Sequence, residues 1–426
     1  MKILVCILVV LSLGVLPGCG EGEERFGRRE EGWGFEAEDY DAGRILLEPY
    51  GSLFYALIRS RMDPSNDPFV IWLNGGPGSS SMFGLLMENG PWKLVNDGDL
   101  ERNEYSWNNI ANILYVDQPF GTGFSTVSSS EYLVKNENEA AVYFHRFLVS
   151  FIEKFPEYKH RPLYLTGESY AGRYIPAISN EIIKQNYSTI NLVGCAIGNG
   201  NFDPIVQIPE LSVYALENDL ITKDQADKTL IEHLERLKLN RGDRIRCYEN
   251  YFWQVWELVF SHRALNGYDI RTSSTKWNVQ ELTNFFNNES IQKRLNVYQS
   301  EWVLVSQMVH SQFDMFDTTK ISSNVEIGLS KGIRYFIFAG DKDLNCNWRG
   351  IEAWSNSIGF DCQDTFTSSR YQKWNVDGEE AGEFKHHDNF TFLRVYEAGH
   401  MVPMDQPKRS LAMLQSFIKN DFKDII

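Results

Sequence analysis

The sequence predicts an α/β fold in which a mostly parallel sheet is flanked by helices, and three observations support this. Apolar runs of strand length alternate with amphipathic segments of helical period over most of the 426 residues. Several of the runs end in glycine-punctuated turns, as strands of open α/β sheets do where they form sites. An apolar fraction of 43% and an aromatic fraction of 14% supply enough material for a large core.

Six buried strands and four helices are predicted from the spacing of the apolar residues. The strands are Phe69 to Leu73, Asn112 to Val116, Leu163 to Thr166, Leu192 to Ile197, Tyr335 to Ala339 and Thr391 to Tyr396. The helices are Asn136 to Phe155, Arg173 to Lys184, Trp348 to Ser357 and Lys408 to Asn420. Their alternation indicates parallel strands joined by crossover helices.

The first 37 residues are expected to lie outside the core. Residues 1–20 contain a lysine, an apolar run and terminal small residues, which is the pattern of a secretory signal peptide. The run is too short to span a bilayer, so no membrane insertion is expected. Cys19 leaves a bacterial lipoprotein processing site as the alternative. Residues 21–37 are predicted to be a flexible acidic leader.

The remaining chain is predicted to form one core interrupted by an insertion. Residues 38–203 and 276–426 carry the core pattern, whereas residues 204–275 are charged, aromatic and helical in period. Leu230, Leu234 and Leu237 share one helical stripe in this segment. We therefore predict an inserted, mainly helical cap over residues 204–275, placed to shape the mouth of a pocket.

The charge balance excludes some partners. With 57 acidic against 41 basic residues, the formal net charge is -16, which argues against binding to nucleic acid or to anionic membranes. Such a charge suits a protein that works at low pH, and it equally suits an ordinary acidic surface. Composition alone leaves both interpretations open.

Cysteines and sequons bear on the compartment. Four cysteines follow the signal segment, without the paired spacing of a structural zinc site: Cys195, Cys247, Cys346 and Cys362. One or two disulfides among them remain an open alternative to buried free thiols. Three glycosylation sequons, at Asn186, Asn288 and Asn389, favour a secretory route.

Ser169 is the candidate nucleophile. It lies in Gly167–Gly172, directly after the predicted strand Leu163 to Thr166 and before a predicted helix. A serine attacks only when a base takes its proton, and a sharp strand-to-helix turn exposes its hydroxyl. The α/β-hydrolase elbow has the pattern G-x-S-x-G, and Ala171 stands at its last glycine position. We therefore predict an α/β-hydrolase fold with Ser169 at the elbow.

His400 and Asp343 are the candidate base and its orienting acid. His400 follows the strand Thr391 to Tyr396 in a glycine-containing loop, and Asp343 follows the strand Tyr335 to Ala339. Serine, aspartate and histidine then occur in the chain order that α/β-hydrolases use. Asp341 remains the alternative acid. Six of the other histidines are predicted to be solvated or to lie in a charged loop: His145, His160, His233, His262, His386 and His387.

A glycine-rich segment supplies candidate oxyanion donors. Trp72–Ser81 follows the strand Phe69 to Leu73, and its glycines let backbone N–H groups approach a ligand closely. The sequence that a phosphate-binding loop requires is absent after it. We predict that the N–H groups of Gly76 and Tyr170 bind the oxyanion.

Six motifs in this order resemble the serine carboxypeptidases from about residue 38 to about residue 420. They are Trp72–Ser81; Asp117–Pro119 with Gly121–Ser125; Gly167–Gly172; Gly198–Gly200; Gly340–Asp343 with Cys346–Trp348; and Gly399–Pro403. The resemblance implies the Ser169, His400 and Asp343 roles and the Gly76 and Tyr170 oxyanion hole. It further implies that a substrate's C-terminal carboxylate is bound by Asn74, the Gly75 N–H, Glu88 and Glu168.

The resemblance also carries expectations about specificity. Phe83, Met87 and Met401 would line the pocket for the leaving residue, so hydrophobic C-terminal residues should be preferred. Like charges a few ångströms apart cannot both ionise, so paired Glu88 and Glu168 imply activity favoured by acid. The expected substrates are peptides or proteins with a free C-terminus, without a cofactor or a metal. The expected location is a vacuole-like or lysosome-like compartment, or the exterior.

Two other functions remain on the same scaffold. An acyltransferase would replace water by an alcohol, and Glu88 with Glu168 argues against it. A catalytically silent binding relative is opposed by the intact triad.

Two departures from the family pattern concern cysteines. Ser79 stands where relatives usually have a bridged cysteine, and the expected partner region, Tyr298 to Trp302, has none. The predicted cap has only Cys247, whereas relatives have several disulfides there. The catalytic groups are unaffected, but a bridge worth about 2 to 4 kcal/mol must be replaced by other contacts.

Overall fold

A mixed sheet organises the protein, which was analysed as a computed structural model describing residues 38–95, 98–239, 244–262, 265–317 and 321–421. Eleven of the described strands form this sheet in the order β1-β2-β6-β3-β8-β9-β10-β13-β12-β11, with β7 beside β2. β4 and β5 form a separate hairpin. The strands are β1 Tyr40–Leu47, β2 Gly51–Ile58, β3 Phe69–Leu73, β4 Trp92–Leu94, β5 Leu100–Arg102, β6 Asn112–Asp117, β7 Thr126–Val127, β8 Pro162–Glu168, β9 Asn191–Gly198, β10 Arg334–Gly340, β11 Gln372–Val376, β12 Glu379–His387 and β13 Phe390–Val395.

The six predicted strands are the parallel centre of the sheet. β6, β3, β8, β9, β10 and β13 pair in parallel, one after the next. The outer strands β1, β2, β12 and β11 pair antiparallel. The α/β-hydrolase fold and its mostly parallel sheet are thus confirmed, and the antiparallel edges are the part that the sequence pattern missed.

The four predicted helices are present, and their ends are set by capping. They span Glu137–Lys154, Ala171–Gln185, Trp348–Ser355 and Pro407–Lys419. The Asn136 side chain accepts a hydrogen bond from the Glu139 backbone N–H at 3.0 Å, so it caps the first helix instead of belonging to it. Asn420 is likewise a left-handed cap after the last helix.

Further helices complete the described chain. They are α-helices Pro204–Gln207, Glu210–Glu217, Lys223–Leu239, Arg244–His262, Val279–Phe286, Glu289–Arg294, Gln307–His310, Ser322–Ser330, Gln363–Ser368 and Val402–Asp405, a π-helix at Gly84–Glu88, and 3-10 turns at Trp107–Asn109, Ser130–Tyr132 and Pro156–Tyr158. None of the helices within the described ranges combines the length and apolarity needed to cross a bilayer.

The core lies in two apolar layers, one on each face of the sheet. Along β3, Phe69, Ile71 and Leu73 belong to one layer, and Val70 and Trp72 belong to the other. Successive side chains of a strand point to opposite faces, so a strand covered on both sides must be apolar throughout. This requirement explains why the central strands were the ones that sequence pattern predicted.

Helices between β9 and β10 build a third apolar cluster. Its members come mainly from residues 208–259 and include Tyr214, Tyr251 and Val255. Residues 282–302 instead pack onto the second sheet layer, through side chains such as Phe286 and Trp302. The third cluster therefore matches most of the segment predicted as a cap.

The helix Lys223–Leu239 buries only one end of the predicted leucine stripe, where Leu237 packs against the third cluster. Leu230 and Leu234 are 38% and 47% exposed, while Thr229 and His233 are buried. His233 lies 4.5 Å from the Tyr251 ring and 5.0 Å from the Tyr248 ring, centroid to centroid. Aromatic contact with the helix Arg244–His262 thus decides which face of this helix is buried.

The prediction of solvated histidines was wrong for two of them. His145 and His233 are buried, and burial lowers the pKa of each ring. His160 is exposed, and His386 and His387 lie at the end of β12. The side chain of His262 lies outside the described residues.

Backbone pairing lies where relatives usually have the disulfide that this chain lacks. Ser79 forms an antiparallel bridge with Val305, a few residues beyond the predicted partner region. Flanking bonds run from the Ser80 N–H to the Leu304 carbonyl and from the Ser306 N–H to the Gly78 carbonyl, each 2.9 Å. All four described cysteines are free thiols: Cys195, Cys247, Cys346 and Cys362.

Candidate active site

Ser169 occupies a sharp turn between β8 and the helix Ala171–Gln185. Its φ of 62° lies in the left-handed region that a serine seldom adopts. Its backbone N–H donates to the Gly198 carbonyl at the end of β9, at 3.0 Å. This turn has the local geometry of a nucleophile elbow.

Ala171 fits the last glycine position because Gly167 faces it. A Cβ at position 167 would lie 2.9 Å from the Ala171 Cβ and 2.2 Å from the Leu73 carbonyl oxygen. A Cβ at Gly172 would lie 2.8 Å from the Asn201 carbonyl oxygen. The departure from G-x-S-x-G thus leaves the turn sterically intact.

His400 and Asp343 form a buried hydrogen-bonded pair. His400 Nδ1 lies 2.6 Å from Asp343 Oδ2, and both side chains are almost completely buried. The backbone N–H groups of Asn345 and Cys346 donate to the Asp343 carboxylate at 2.8 Å and 3.1 Å. These donors hold the carboxylate so that it can accept the imidazole N–H and fix its tautomer.

Asn199 is a positioning residue for which the sequence alone predicted no role. Its side-chain Nδ2 donates to Asp343 Oδ2 at 2.9 Å, and its side-chain Oδ1 accepts from the Gly340 N–H at 3.0 Å. Its neighbour Gly198 accepts from Ser169, as described above. The only available signal was the Gly198–Gly200 motif at the end of a predicted strand.

Asp341, the alternative acid, has other partners. Its carboxylate lies 3.1 Å from Lys342 Nζ and 4.0 Å from an Arg394 guanidinium nitrogen. The His400 ring makes its carboxylate contact with Asp343.

The predicted oxyanion segment packs directly on the elbow. Gly76 has φ of 106°, which favours glycine. A Cβ at Gly75 would lie 2.3 Å from the Tyr170 backbone nitrogen and 2.9 Å from the Ser169 Cβ. Only a glycine at position 75 therefore leaves the Tyr170 N–H and the serine accessible together.

The side chain of Tyr170 is anchored within a buried ion pair. Its hydroxyl donates to Glu137 Oε1, and Arg173 Nε donates to the same oxygen at 2.7 Å. Arg173 has no exposed side-chain surface and also contacts Asp317. The anchor restrains the residue whose N–H is the predicted oxyanion donor.

Asn74, Glu88 and Glu168 meet in a buried polar cluster. Asn74 Nδ2 donates to Glu88 Oε1 at 2.8 Å and to Glu168 Oε1 at 3.2 Å. Asn74 Oδ1 accepts from Trp72 Nε1 and from the Gly84 N–H, which orients the amide. The Oε2 atoms of both glutamates are buried and receive no other donor from the described residues.

Burial favours the protonated form of both glutamates. Burial raises the pKa of Glu88 to about 7. Burial and the neighbouring Glu88 charge raise the pKa of Glu168 well above the ordinary glutamate value. At acid pH the pair is therefore protonated and can donate hydrogen bonds to an anion.

An apolar wall adjoins His400, and it includes two aromatic residues that were not predicted from the sequence. Phe83 and Met401 are buried and Met87 is half-buried in the second core layer. Trp277 lies 5.3 Å from the Phe83 ring and 6.0 Å from the Tyr268 ring, which is itself 5.0 Å from His400. Residues 268 and 277 come from a loop far from the motifs, so no sequence signal joined them to the site.

The loop 266–272, at the end of the predicted cap, joins the loops that carry Asp343 and His400. The Gly267 carbonyl accepts from Leu344 and Asn345, each at 3.2 Å, and the Tyr268 carbonyl accepts from the His400 N–H at 2.7 Å. Arg271 adds bonds to the Glu397 carbonyl and to Asp405. The Asp343 and His400 loops are thus joined through a segment outside the parallel sheet.

The remaining predicted residues lie away from the reacting centre, apart from Cys346. Burial and the charges of Asp343 and Glu168 raise the pKa of the Cys346 thiol well above its usual value. Asn186 and Asn288 are exposed at helix ends, and Asn389 is half-buried in the turn after β12.

Fold and site together define the class of protein. A mostly parallel sheet, a serine in a strand-to-helix elbow and a histidine–aspartate pair after later strands are the features of α/β-hydrolases. Within that class, the family model described as serine carboxypeptidase matches residues 47–420. The chain therefore belongs to the serine carboxypeptidase family, and its enzyme class is that of a serine-type carboxypeptidase.

Individual relatives agree with the family assignment. Serine carboxypeptidase-like 49 of Arabidopsis thaliana is 38% identical over 87% of this chain and 74% of its own length. Carboxypeptidase Y of Komagataella phaffii is 35% identical over 87% of this chain and 73% of its own length. The crystal structure of a prohormone-processing carboxypeptidase from Saccharomyces cerevisiae superposes with a TM-score of 0.81 at 26% identity, covering 89% of this chain and 91% of that one.

Proposed function

We propose that this carboxypeptidase removes hydrophobic C-terminal residues from peptides and proteins in an acidic compartment, through an acyl-enzyme on Ser169. The observation that carries the proposal is the buried Asn74, Glu88 and Glu168 cluster beside the elbow. Two buried acids next to a nucleophile oppose the developing oxyanion unless they are protonated. When protonated, these acids can donate hydrogen bonds to the C-terminal carboxylate of a substrate.

In the proposed reaction, Ser169 Oγ attacks the scissile carbonyl carbon while His400 takes its proton. Asp343 stabilises the imidazolium through Nδ1, and the N–H groups of Gly76 and Tyr170 bind the oxyanion. Collapse of this intermediate breaks the C–N bond, and His400 returns the proton to the leaving amine. Water then releases the acyl group by the same route.

The C-terminal carboxylate is held by the groups that surround it in this proposal. Asn74 Nδ2 and the Gly75 N–H donate to it, and a protonated glutamate donates a third hydrogen bond. Because the donor is a neutral acid, its loss of a proton both removes a hydrogen bond and adds a repelling charge.

The direct test is incubation of the purified protein with an unmodified peptide at about pH 5, with the products followed by mass. We expect stepwise loss of single residues from the C-terminus. Internal cleavage products, or an unchanged peptide, would contradict the proposal.

The value of kcat/KM for a peptide is expected to fall on the alkaline side of neutrality. Glu88 has a pKa of about 7, so ionisation above neutrality should lower kcat/KM for a peptide by about tenfold for each further pH unit. The measurement is kcat/KM from about pH 5 to about pH 8. The same peptide with a C-terminal amide is the control, because it lacks the carboxylate but uses the same His400.

Substitution Glu88→Gln extends this test, since glutamine replaces the acid that ionises near neutrality and keeps a donor at every pH. We expect a weaker alkaline fall for this variant than for the wild type. If kcat/KM fell equally at alkaline pH for the free-acid peptide, for the amidated peptide and for the variant enzyme, the glutamates would not be the cause of the pH dependence.

The apolar wall predicts specificity for the leaving residue. We expect faster release of C-terminal leucine or phenylalanine than of arginine, because Phe83, Trp277 and Met401 offer no partner for a charge. Trp277→Ala should lower kcat/KM for C-terminal phenylalanine by about 10-fold or more, since pocket contacts contribute about 1–3 kcal/mol. The effect of Trp277→Ala is measured as the ratio of the rates for phenylalanine and alanine as the leaving residue. Faster release of arginine than of leucine by the wild type would refute the predicted specificity.

Gly75→Ala should damage the oxyanion hole. The added Cβ would lie 2.3 Å from the Tyr170 nitrogen and 2.8 Å from the Glu168 carbonyl oxygen. We expect kcat/KM to fall by about 10²-fold or more, the cost of losing one oxyanion donor. Gly43→Ala is the matched control, because its Cβ would meet only the Tyr55 hydroxyl at 3.7 Å. A Gly75→Ala enzyme that folds and keeps wild-type kcat/KM would exclude this account.

A further inference from the structure

A second group of metal-ligating side chains lies away from the active site, where the turn after β12 meets the start of the helix Gln363–Ser368. Cys362 Sγ lies 3.1 Å from Asp388 Oδ2, and His387 Nε2 lies 3.7 Å from the same oxygen. One ligand atom from each of the three residues lies within 4.8 Å of the others. Two chain segments therefore bring a thiol, an imidazole and a carboxylate to one point.

The spacing suits a tetrahedral ion. Zinc binds sulfur at about 2.3 Å and nitrogen or oxygen at about 2.0–2.2 Å, so neighbouring ligand atoms in a tetrahedral site are separated by about 3.3–3.6 Å. The two measured separations lie close to this range, and small side-chain rotations suffice to reach it. Three protein ligands leave one position for water.

The ligand set selects the kind of metal. A thiolate with an imidazole is suited to zinc and related borderline ions, whereas calcium and magnesium require oxygen ligands. The local charge also favours a cation. Asp361, Asp364 and Asp388 make no ion pair with lysine or arginine within the described part of the chain.

Aromatic packing beneath the group holds the two segments in place. Phe360 and Phe366 flank Cys362, Phe390 follows the Asp388 turn, and the three rings pack together. Centroid distances are 5.0 Å between Phe366 and Phe390 and 5.5 Å between Phe360 and Phe390. Both Phe366 and Phe390 are fully buried. The ligands thus stand on a packed base and not on two independent loops.

We infer that Cys362, His387 and Asp388 form a surface zinc site, separate from the catalytic centre. The site would tie the helix that follows Cys362 to the β12–β13 turn. Its side chains remain accessible, with the Asp388 side chain 67% exposed and that of His387 31% exposed. Solvent zinc therefore reaches the ligands without opening the fold.

Cobalt(II) is the probe, because a cobalt–thiolate bond gives a charge-transfer band in the near ultraviolet. The purified full chain is stripped with a chelator, dialysed and titrated with cobalt(II), and zinc is then added in competition. We expect a band that saturates at one equivalent and that zinc removes. A wild-type protein that develops no such band would overturn the inference.

Four variants separate this site from the cysteine beside the triad. Cys362→Ser should abolish the band. Asp388→Asn should weaken cobalt binding by at least about 10-fold, because loss of a residue that only contacts a metal ligand already lowers metal affinity by about that factor. Asparagine suits the Asp388 φ of 49°, so this variant keeps the turn. Asp361→Asn and Cys346→Ser are controls that should keep the band. A band lost with Cys346→Ser and kept with Cys362→Ser would refute the proposed site.

Discussion

Ser169→Ala should lower kcat for peptide hydrolysis by about 10⁶-fold, the loss that removal of the nucleophile causes in a serine peptidase of unrelated fold. The reason lies in the elbow, where the turn at φ 62° presents the Ser169 hydroxyl after β8. Without that hydroxyl no acyl-enzyme forms, and binding alone remains. Single-turnover kinetics measure the loss of peptide hydrolysis, and labelling with a fluorophosphonate probe measures the loss of the reactive hydroxyl.

Ser179→Ala is the matched control for Ser169→Ala. Ser179 is buried in the helix that follows the elbow, and its hydroxyl accepts a hydrogen bond from the Tyr335 hydroxyl at 3.1 Å, away from the elbow. This variant should keep both labelling and turnover. Labelling of Ser169→Ala at the wild-type rate would place the nucleophile elsewhere.

Asp343→Asn should lower kcat by about 10⁴-fold, the size of the effect when a triad aspartate becomes an amide. Asp343 accepts hydrogen bonds from Asn199, Asn345 and Cys346 in addition to its contact with His400. An amide group cannot accept from all of them and would favour the wrong imidazole tautomer. Because the shape is conserved, KM should change much less than kcat.

Asp341→Asn tests the other acid with the same chemical change. Asp341 pairs with Lys342 and Arg394, so its neutralisation should leave kcat within a few-fold of the wild type. If instead Asp341→Asn lost the larger part of kcat, the orienting role would belong to that residue.

The sequence predicted the centre of the fold because burial on both faces leaves a clear pattern. β3 and β6 are fully buried and therefore appear as short, continuous apolar runs. β11 at the edge of the sheet and β12 beside it are largely polar, and their pairing depends on a neighbour, so no local pattern marked them. β2 is fully buried too, but it belongs to an antiparallel hairpin outside the alternation of strands and helices that guided the prediction.

The residues proposed for catalysis were predictable because each follows a strand in a recognisable order. Asn199, Tyr268 and Arg271 were not, because they act through contacts made by residues distant in the chain. The burial of His233 was unpredictable for the same reason, because it depends on residues distant in the chain. Its polar sequence surroundings suggested solvent, but packing against Tyr248 and Tyr251 buries it.

The backbone bridge between Ser79 and Val305 has a practical consequence for preparing the protein. This contact and its flanking hydrogen bonds need no oxidant to form, and the four described cysteines are free thiols. Folding of the described chain is therefore independent of disulfide exchange, unlike that of many secreted proteins. The enzyme can be produced and stored with a reducing agent, which also keeps the Cys362 thiol available for metal.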